Sequence, residues 1–404
     1  MRVGIYIPHF SPKSGGAYSF QNTIIKSLQE TMTDHEFYIF YSGQQFKKEH
    51  SSIKFIPVSI DNPNKTALVK LLLRMRKNIF LKKLFKKEKV LKLNEAVLEN
   101  HIELIWFITP FYEYVEIPFI ITVWDLQHRF QPFFPEVSVS GWSWESRENL
   151  YKSILPRAAF VITGTEEGKR EISFFYGISE RRIKIIPLPT PEFINNPVIT
   201  DSENVELKKL TNPILFYPAQ FWPHKNHIAL LFAYKILKEK YNLLFDLVFV
   251  GSDTGNLSYI ENIIEDLGLQ ENVHNFGFIS FNDMIFLYKN SFALVFPSLF
   301  GPDNLPPLEA MGLGCPVVIS DQPGIEEQLG DAALIIDTTN ENVIVEAILK
   351  LKNDETLRTE LIQRGYKRAN SFKSEDYIRM MINIIDEFKP YRRCWSSNDK
   401  YIHL

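Results

Sequence analysis

Two charged residues in this sequence stand where a chain can meet a phosphorylated ligand. Lys225 lies in Ala219-Gln220-Phe221-Trp222-Pro223-His224-Lys225-Asn226-His227, between the apolar run Ile214–Pro218 and a helical pattern. An ammonium at a helix start adds a mobile point charge to amides and a dipole that already attract anions, and a diphosphate suits it. Glu309 follows a second apolar run, 293–296, through the loop 297–304 and the helix opener Leu305-Pro306-Pro307. Proline fits a first helical turn because its missing N–H would be unpaired there anyway. The nearby amides of Asn304 and Leu305 can face a phosphate oxygen, and a fixed carboxylate at Glu309 can accept from a vicinal diol. Each has a plainer alternative: a solvated lysine, and a glutamate that complements a helix dipole.

Two earlier stretches carry further candidates. Gly15 and Gly16 precede a helix, and paired glycines let backbone approach a ligand closely, or simply make a tight turn. The run 119–123 ends in Trp124-Asp125-Leu126-Gln127-His128. An Asp and a His at a strand end suit hydrogen bonding to a hydroxyl or help with a proton, although a lone histidine is often structural. Thr163-Gly164-Thr165-Glu166 ends another run, and N-capping by Thr165 accounts for it equally well.

The elements that must hold these residues are short apolar runs alternating with longer helical patterns. They fall at 3–8, 36–41, 53–58, 104–108, 119–123, 160–163 and 183–187, then at 214–218, 246–251, 273–276, 293–296, 317–320 and 334–336. Fully apolar strands alternating with helices mean parallel sheets covered on both faces. The series occurs twice, so the fold class is α/β with two Rossmann-like doubly wound domains. Residues 187–213 carry several prolines and a polar run and read as the linker. The expected division is 1–195 and 205–372, with 373–404 forming a helix and tail. A chain of 404 residues with 45% hydrophobic and 23% charged composition is globular and long enough for two such cores.

Other classes are disfavoured. A net charge of -3 gives no global attraction to nucleic acid. Cys315 and Cys394 form no metal-ligand cluster and suit a reducing compartment. The sequence holds neither a P-loop nor a dinucleotide fingerprint, and it has no Asp-x-Asp pair. The apolar start reads as a first strand, and no stretch is long enough to span a bilayer, so the expected location is the cytoplasm.

The segments 216–227, 249–252, 275–280 and 297–320 together resemble the donor domain of retaining glycosyltransferases of family 4, over roughly residues 213–340. The resemblance implies a GT-B fold, with two domains facing across a cleft. It also implies transfer of a sugar, mannose or rhamnose type, from an NDP-sugar to a glycan or lipid-linked acceptor in surface polysaccharide assembly. By resemblance Lys225 binds the diphosphate and Glu309 the ribose hydroxyls. Gly251 and Phe278 border the nucleoside, Asn304 and Leu305 offer amides, and the Gly15–Gly16 loop approaches the phosphates. Asp125 would be the retained residue of the family's His-Asp segment, with Trp124 in the histidine position and His128 nearby. No metal or other cofactor is expected.

This chain departs from the family's pattern at two donor-side places. His224 stands beside the lysine where the family has an arginine. An upstream glutamate of the family falls on Gly301, with Asp303 the nearest carboxylate to take its place. An NDP-sugar epimerase of the same fold and a non-catalytic nucleotide-sugar binder are the alternatives. Residues 65–92 are dense in Lys and Arg with interleaved apolar residues. They read either as a peripheral contact with the inner face of the plasma membrane or as a solvated helix face.

Overall fold

Every apolar run read from the sequence is a strand. The computed structural model describes all residues except 12–14, 44–52, 60–90, 139–141, 195–201, 203, 302 and 396–404. The expected membrane-contacting segment 65–92 and the end of the tail therefore lie almost wholly outside the described residues. The strands are Arg2–Ile7 (β1), Glu36–Tyr41 (β2), Lys54–Pro57 (β3), Leu104–Phe107 (β4), Phe119–Thr122 (β5), Phe160–Thr163 (β6) and Ile183–Ile185 (β7). They continue as Ile214–Pro218 (β8), Asp246–Val250 (β9), Val273–Asn275 (β10), Ser291–Phe296 (β11), Val317–Ser320 (β12) and Ala333–Ile336 (β13).

Two sheets form, ordered β3-β2-β1-β4-β5-β6-β7 and β10-β9-β8-β11-β12-β13. The pairs of β1 with β2 and β4, and of β8 with β9 and β11, are parallel. β4, β5, β8, β9 and β12 are buried at every residue, as central parallel strands covered on both faces must be. In the second sheet the chain runs outward from β8 to β10 and returns on the other side at β11. The order therefore reverses between β8 and β11, and ligands of such sheets bind beyond the carboxyl ends at this point.

The chain divides into two compact units. One comprises Met1–His9, Met32–Thr122 and Glu387–Leu404. It holds β1 to β5, and in it Arg392 near the end of the helix Ser374–Arg392 pairs with Glu103 at 3.1 Å. The other comprises Phe10–Thr31 and Val123–Asp386 and holds every candidate site residue. Its core is built on Phe216, Tyr217, Phe249, Leu294 and Val318, all fully buried. No helix among the described residues is long and apolar enough to cross a membrane.

Candidate functional site

Lys225 is the last residue of the turn Pro223–Lys225, which leaves β8 and leads into the helix His227–Tyr241. Asn226 between them adopts φ 54°, the left-handed conformation that asparagine tolerates better than most residues. Its side chain donates to the carbonyls of Pro297 and Thr338, at 3.4 and 3.2 Å. The Lys225 carbonyl accepts from the buried Tyr217 hydroxyl at 2.6 Å. Its ammonium donates to Ser298 Oγ at 3.2 Å and lies 5.2 Å from the centre of the Phe296 ring. Burial pushes this amine down to about 8, while Asp125 and Glu136 act in the opposite sense. Among the described residues no carboxylate forms an ion pair with it. A desolvated cation without a counterion attracts an anion far more strongly than a solvated one.

His224 turns toward a carboxylate that the sequence reading passed over. Glu136, on the short helix Pro135–Ser138, accepts through Oε1 from the His224 amide at 3.1 Å and from its ring Nδ1. The other ring face stacks on Phe300, with centroids 4.2 Å apart and planes at 15°. Burial pushes the imidazole down to about 4. Burial also acts to raise Glu136, but the bonds from His224 outweigh it and hold the carboxyl below its ordinary range. The pair is thus a carboxylate and a neutral imidazole donating from Nδ1. Glu136 Oε2 is buried and meets no hydrogen-bond partner among the described residues. The signal for Glu136 in sequence is slight: it follows Pro135 in an aromatic, aperiodic stretch.

Glu309 lies in the helix Leu305–Gly312, which leaves β11, so it and Lys225 follow the two strands that flank the switch point. Its Oε2 accepts from the Tyr288 hydroxyl at 2.7 Å, and burial pushes the carboxyl up to about 7 against that bond. The preceding loop is clamped by Gln328, another residue the sequence did not flag. Gln328 donates to Asp303 Oδ1 at 2.6 Å and to the Asn304 carbonyl at 2.8 Å, and accepts from the Asn304 amide at 3.0 Å. The Asn304 amide is therefore already engaged. Asp303 also accepts from the Leu188 amide at 3.2 Å, and burial pushes it up to about 7. Both of its oxygens hold the loop, so its geometry is that of a brace.

Gly301 has φ 102°, and a Cβ there would lie 2.8 Å from Asn304 Oδ1. The loop is thus shaped for glycine, and a glutamate would not fit it without rearrangement.

Gly16 starts the helix Gly16–Glu30, and a Cβ on it would lie 3.6 Å from Leu305 Cδ1, so this pair is brought together. Gly15 adopts φ 62°, and no atom of the described residues lies within 4 Å of where its Cβ would be. Gly251 has a packing reason of its own, since a Cβ would lie 2.1 Å from the Ala219 carbonyl oxygen. Phe278 is 55% exposed at the rim beyond β10. Asp125 accepts from the Gln127 amide at 3.1 Å and lies 3.4 Å from Arg147, with part of its side chain exposed.

The placement of His128 corrects the reading that gave it a catalytic or acceptor role. Its side chain is fully enclosed, with Nε2 at 2.9 Å from Glu148 Oε1 and rings of Trp144 and Tyr151 around it. Burial pushes it below its ordinary range, and its Nδ1 is buried and meets no hydrogen-bond partner among the described residues.

An architecture of two parallel α/β sheets is that of the GT-B glycosyltransferases. Solved structures of similar fold include a glycosyltransferase from Rickettsia africae, with TM-score 0.68, 17% identity, and 96% of this chain and 98% of that one covered. WaaG, a glycosyltransferase involved in lipopolysaccharide biosynthesis, has TM-score 0.66 at 16% identity over 95% of this chain and 99% of its own.

Residues 198–368 match the family model described as Glycosyl transferases group 1. Among curated relatives, the O-antigen chain mannosyltransferase RfbU of Salmonella typhimurium is 30% identical over 240 residues, 59% of this chain and 63% of that protein. The O-antigen chain mannosyltransferase B of Escherichia coli is 29% identical over 161 residues, 40% of this chain and 42% of its own length. The matched portions thus span less than two thirds of either relative.

Proposed function

We propose that this protein is a retaining, metal-independent glycosyltransferase of surface polysaccharide assembly. It moves a hexose or deoxyhexose, of mannose or rhamnose type, from an NDP-sugar to a hydroxyl of a glycan or lipid-linked saccharide. The observation that carries the reading is the placement of Lys225 and Glu309. They follow the two strands that flank the switch point, inside the segment that matches the group 1 model. The mannosyltransferase names of the two relatives support the sugar class, and the name of WaaG supports the setting.

In this reading Lys225 takes the charge of the diphosphate, and its desolvation makes that interaction strong. Glu309 accepts the ribose diol. The bond from sugar to phosphate breaks with oxocarbenium character, and the acceptor hydroxyl attacks the face the diphosphate leaves. The departing phosphate takes the acceptor's proton, so no protein nucleophile or strong base is needed. Residues 65–92 hold the enzyme at the inner face of the membrane, where a lipid-linked acceptor would be.

The test is a panel of GDP-, UDP- and dTDP-sugars scored by thermal stabilisation, followed by release of nucleoside diphosphate with and without saccharide acceptors. Stabilisation by one nucleotide class and acceptor-dependent release are expected. Conversion of the sugar nucleotide without acceptor would favour an epimerase, and binding without any turnover would favour a binder. No stabilisation by any member of the panel would overturn the site itself.

A further inference from the structure

The candidate site lacks a carboxylate at position 301, and the backbone there explains why one cannot simply be regained. With φ 102° and the Asn304 side chain against the place of its Cβ, Gly301 sits in a loop that a glutamate would have to remake. Asp303, the nearest acid in sequence, is engaged through both oxygens by Leu188 and Gln328. Position 301 has no carboxylate, and Asp303 leaves no oxygen without a partner.

Glu136 does. It reaches the same loop from another part of the unit, at the end of an arm formed by the helix Gln127–Phe130 and the helix Pro135–Ser138. The arm is fixed to the loop by Gln131, which donates to the Leu299 carbonyl at 2.9 Å, and by Phe134, edge-on to Phe300 at 5.0 Å. His224, which stacks on Phe300, takes one oxygen of Glu136, and Phe300 is the neighbour of Gly301. The second oxygen, Oε2, is buried and without a partner among the described residues.

A buried carboxylate oxygen left unpaired costs free energy unless a ligand satisfies it. A carboxylate only accepts, so the ligand group must be a donor, and beside a lysine suited to a diphosphate the fitting donor is a sugar hydroxyl.

We propose that Glu136 is a donor-sugar residue, binding a hydroxyl of the sugar through Oε2 while His224 fixes its orientation through Oε1. It supplies from a different element the carboxylate that position 301 lacks. This rests on the reading of the site as one for nucleoside diphosphate sugars.

The experiment compares paired ligands by calorimetry: GDP with GDP-mannose, UDP with UDP-glucose, and dTDP with dTDP-rhamnose, carried forward with the pair the wild type binds most tightly. Glu136→Gln should weaken the sugar nucleotide about tenfold or more, the range of a hydrogen bond to a charged group, and leave the free diphosphate within about twofold. Unliganded melting of the variant separates loss of fold from loss of binding. The same substitution in a His224→Ala background should still discriminate against the sugar nucleotide. An equal loss for both ligands, no loss for either, or an effect that vanishes in the His224→Ala background would overturn the proposal and leave the diphosphate site standing. A wild type that binds no member of any pair would overturn both.

Discussion

Two histidine–glutamate pairs lie in the larger unit, and their carboxylates differ in what is left over. Glu148 accepts from His128 at 2.9 Å, Tyr176 at 2.8 Å, Lys152 at 3.2 Å and Arg129, and its side chain is 2% exposed. Arg129 in turn lies over the rings of Trp144, Phe175 and Tyr176. The Glu148 carboxylate is saturated by protein donors, and those bonds hold it below its ordinary range although burial acts to raise it. Glu136 accepts only at Oε1 and has Oε2 free among the described residues. Burial alone does not distinguish the two, since both acids are buried. What separates a structural carboxylate from a ligand-binding one is unspent hydrogen-bonding capacity facing a site.

The sharpest way to break this contrast is Glu148→Ala. Removing it strands His128, Arg129 and Tyr176 around a hole, so chemical denaturation should show a loss of about 3–5 kcal/mol, while the folded fraction keeps its activity. Normal stability with lost activity would reverse the roles assigned to the two pairs. Next in size is Lys225→Ala, for which kcat/KM should fall about 10²–10³-fold with little change in melting temperature, because relief of a desolvated cation without a counterion offsets the lost contacts with Ser298 and Phe296. A mild effect would mean that the free acceptor of Glu136 does not neighbour the reacting diphosphate.

The pH dependence of diphosphate binding is a subtler probe of the same place. With Lys225 brought down to about 8 in the free protein, a bound diphosphate favours its charged form and raises it. Affinity should therefore fall as pH rises from about 7 to about 9, with proton uptake on binding in that window, read by calorimetry in buffers of different ionisation heat. Flat affinity across the window would refute the desolvated lysine. The smallest effect belongs to Tyr288→Phe, which removes the hydroxyl at 2.7 Å from Glu309. It should cost about 1 kcal/mol of stability and raise the Glu309 carboxyl further, shifting the acid limb of diphosphate binding upward.

Much of this molecule was legible in the sequence. The central strands followed from continuous apolar runs, because a strand covered on both faces has no polar alternation to blur it, whereas the edge strands β3, β7 and β10 carry polar residues. The positions of Lys225 and Glu309 beyond strand ends were legible because strand ends and helix starts are local features, marked by Pro223, Pro306 and Pro307. His128 misled for the opposite reason. A histidine at a strand end looks the same whether it faces solvent or a glutamate from the helix Trp144–Ile154, and the sequence says nothing about that partner.

By itself, then, the sequence determined the two parallel sheets and the places along the chain where an anion could be met, since both depend on local pattern. Only the tertiary structure decided which acids are free to act. Asp303 is consumed by Leu188 and Gln328, Glu148 by four donors, and Glu136 keeps one oxygen open. Each of these outcomes turns on partners distant in the chain, and hydrogen-bonding capacity is spent between neighbours in space.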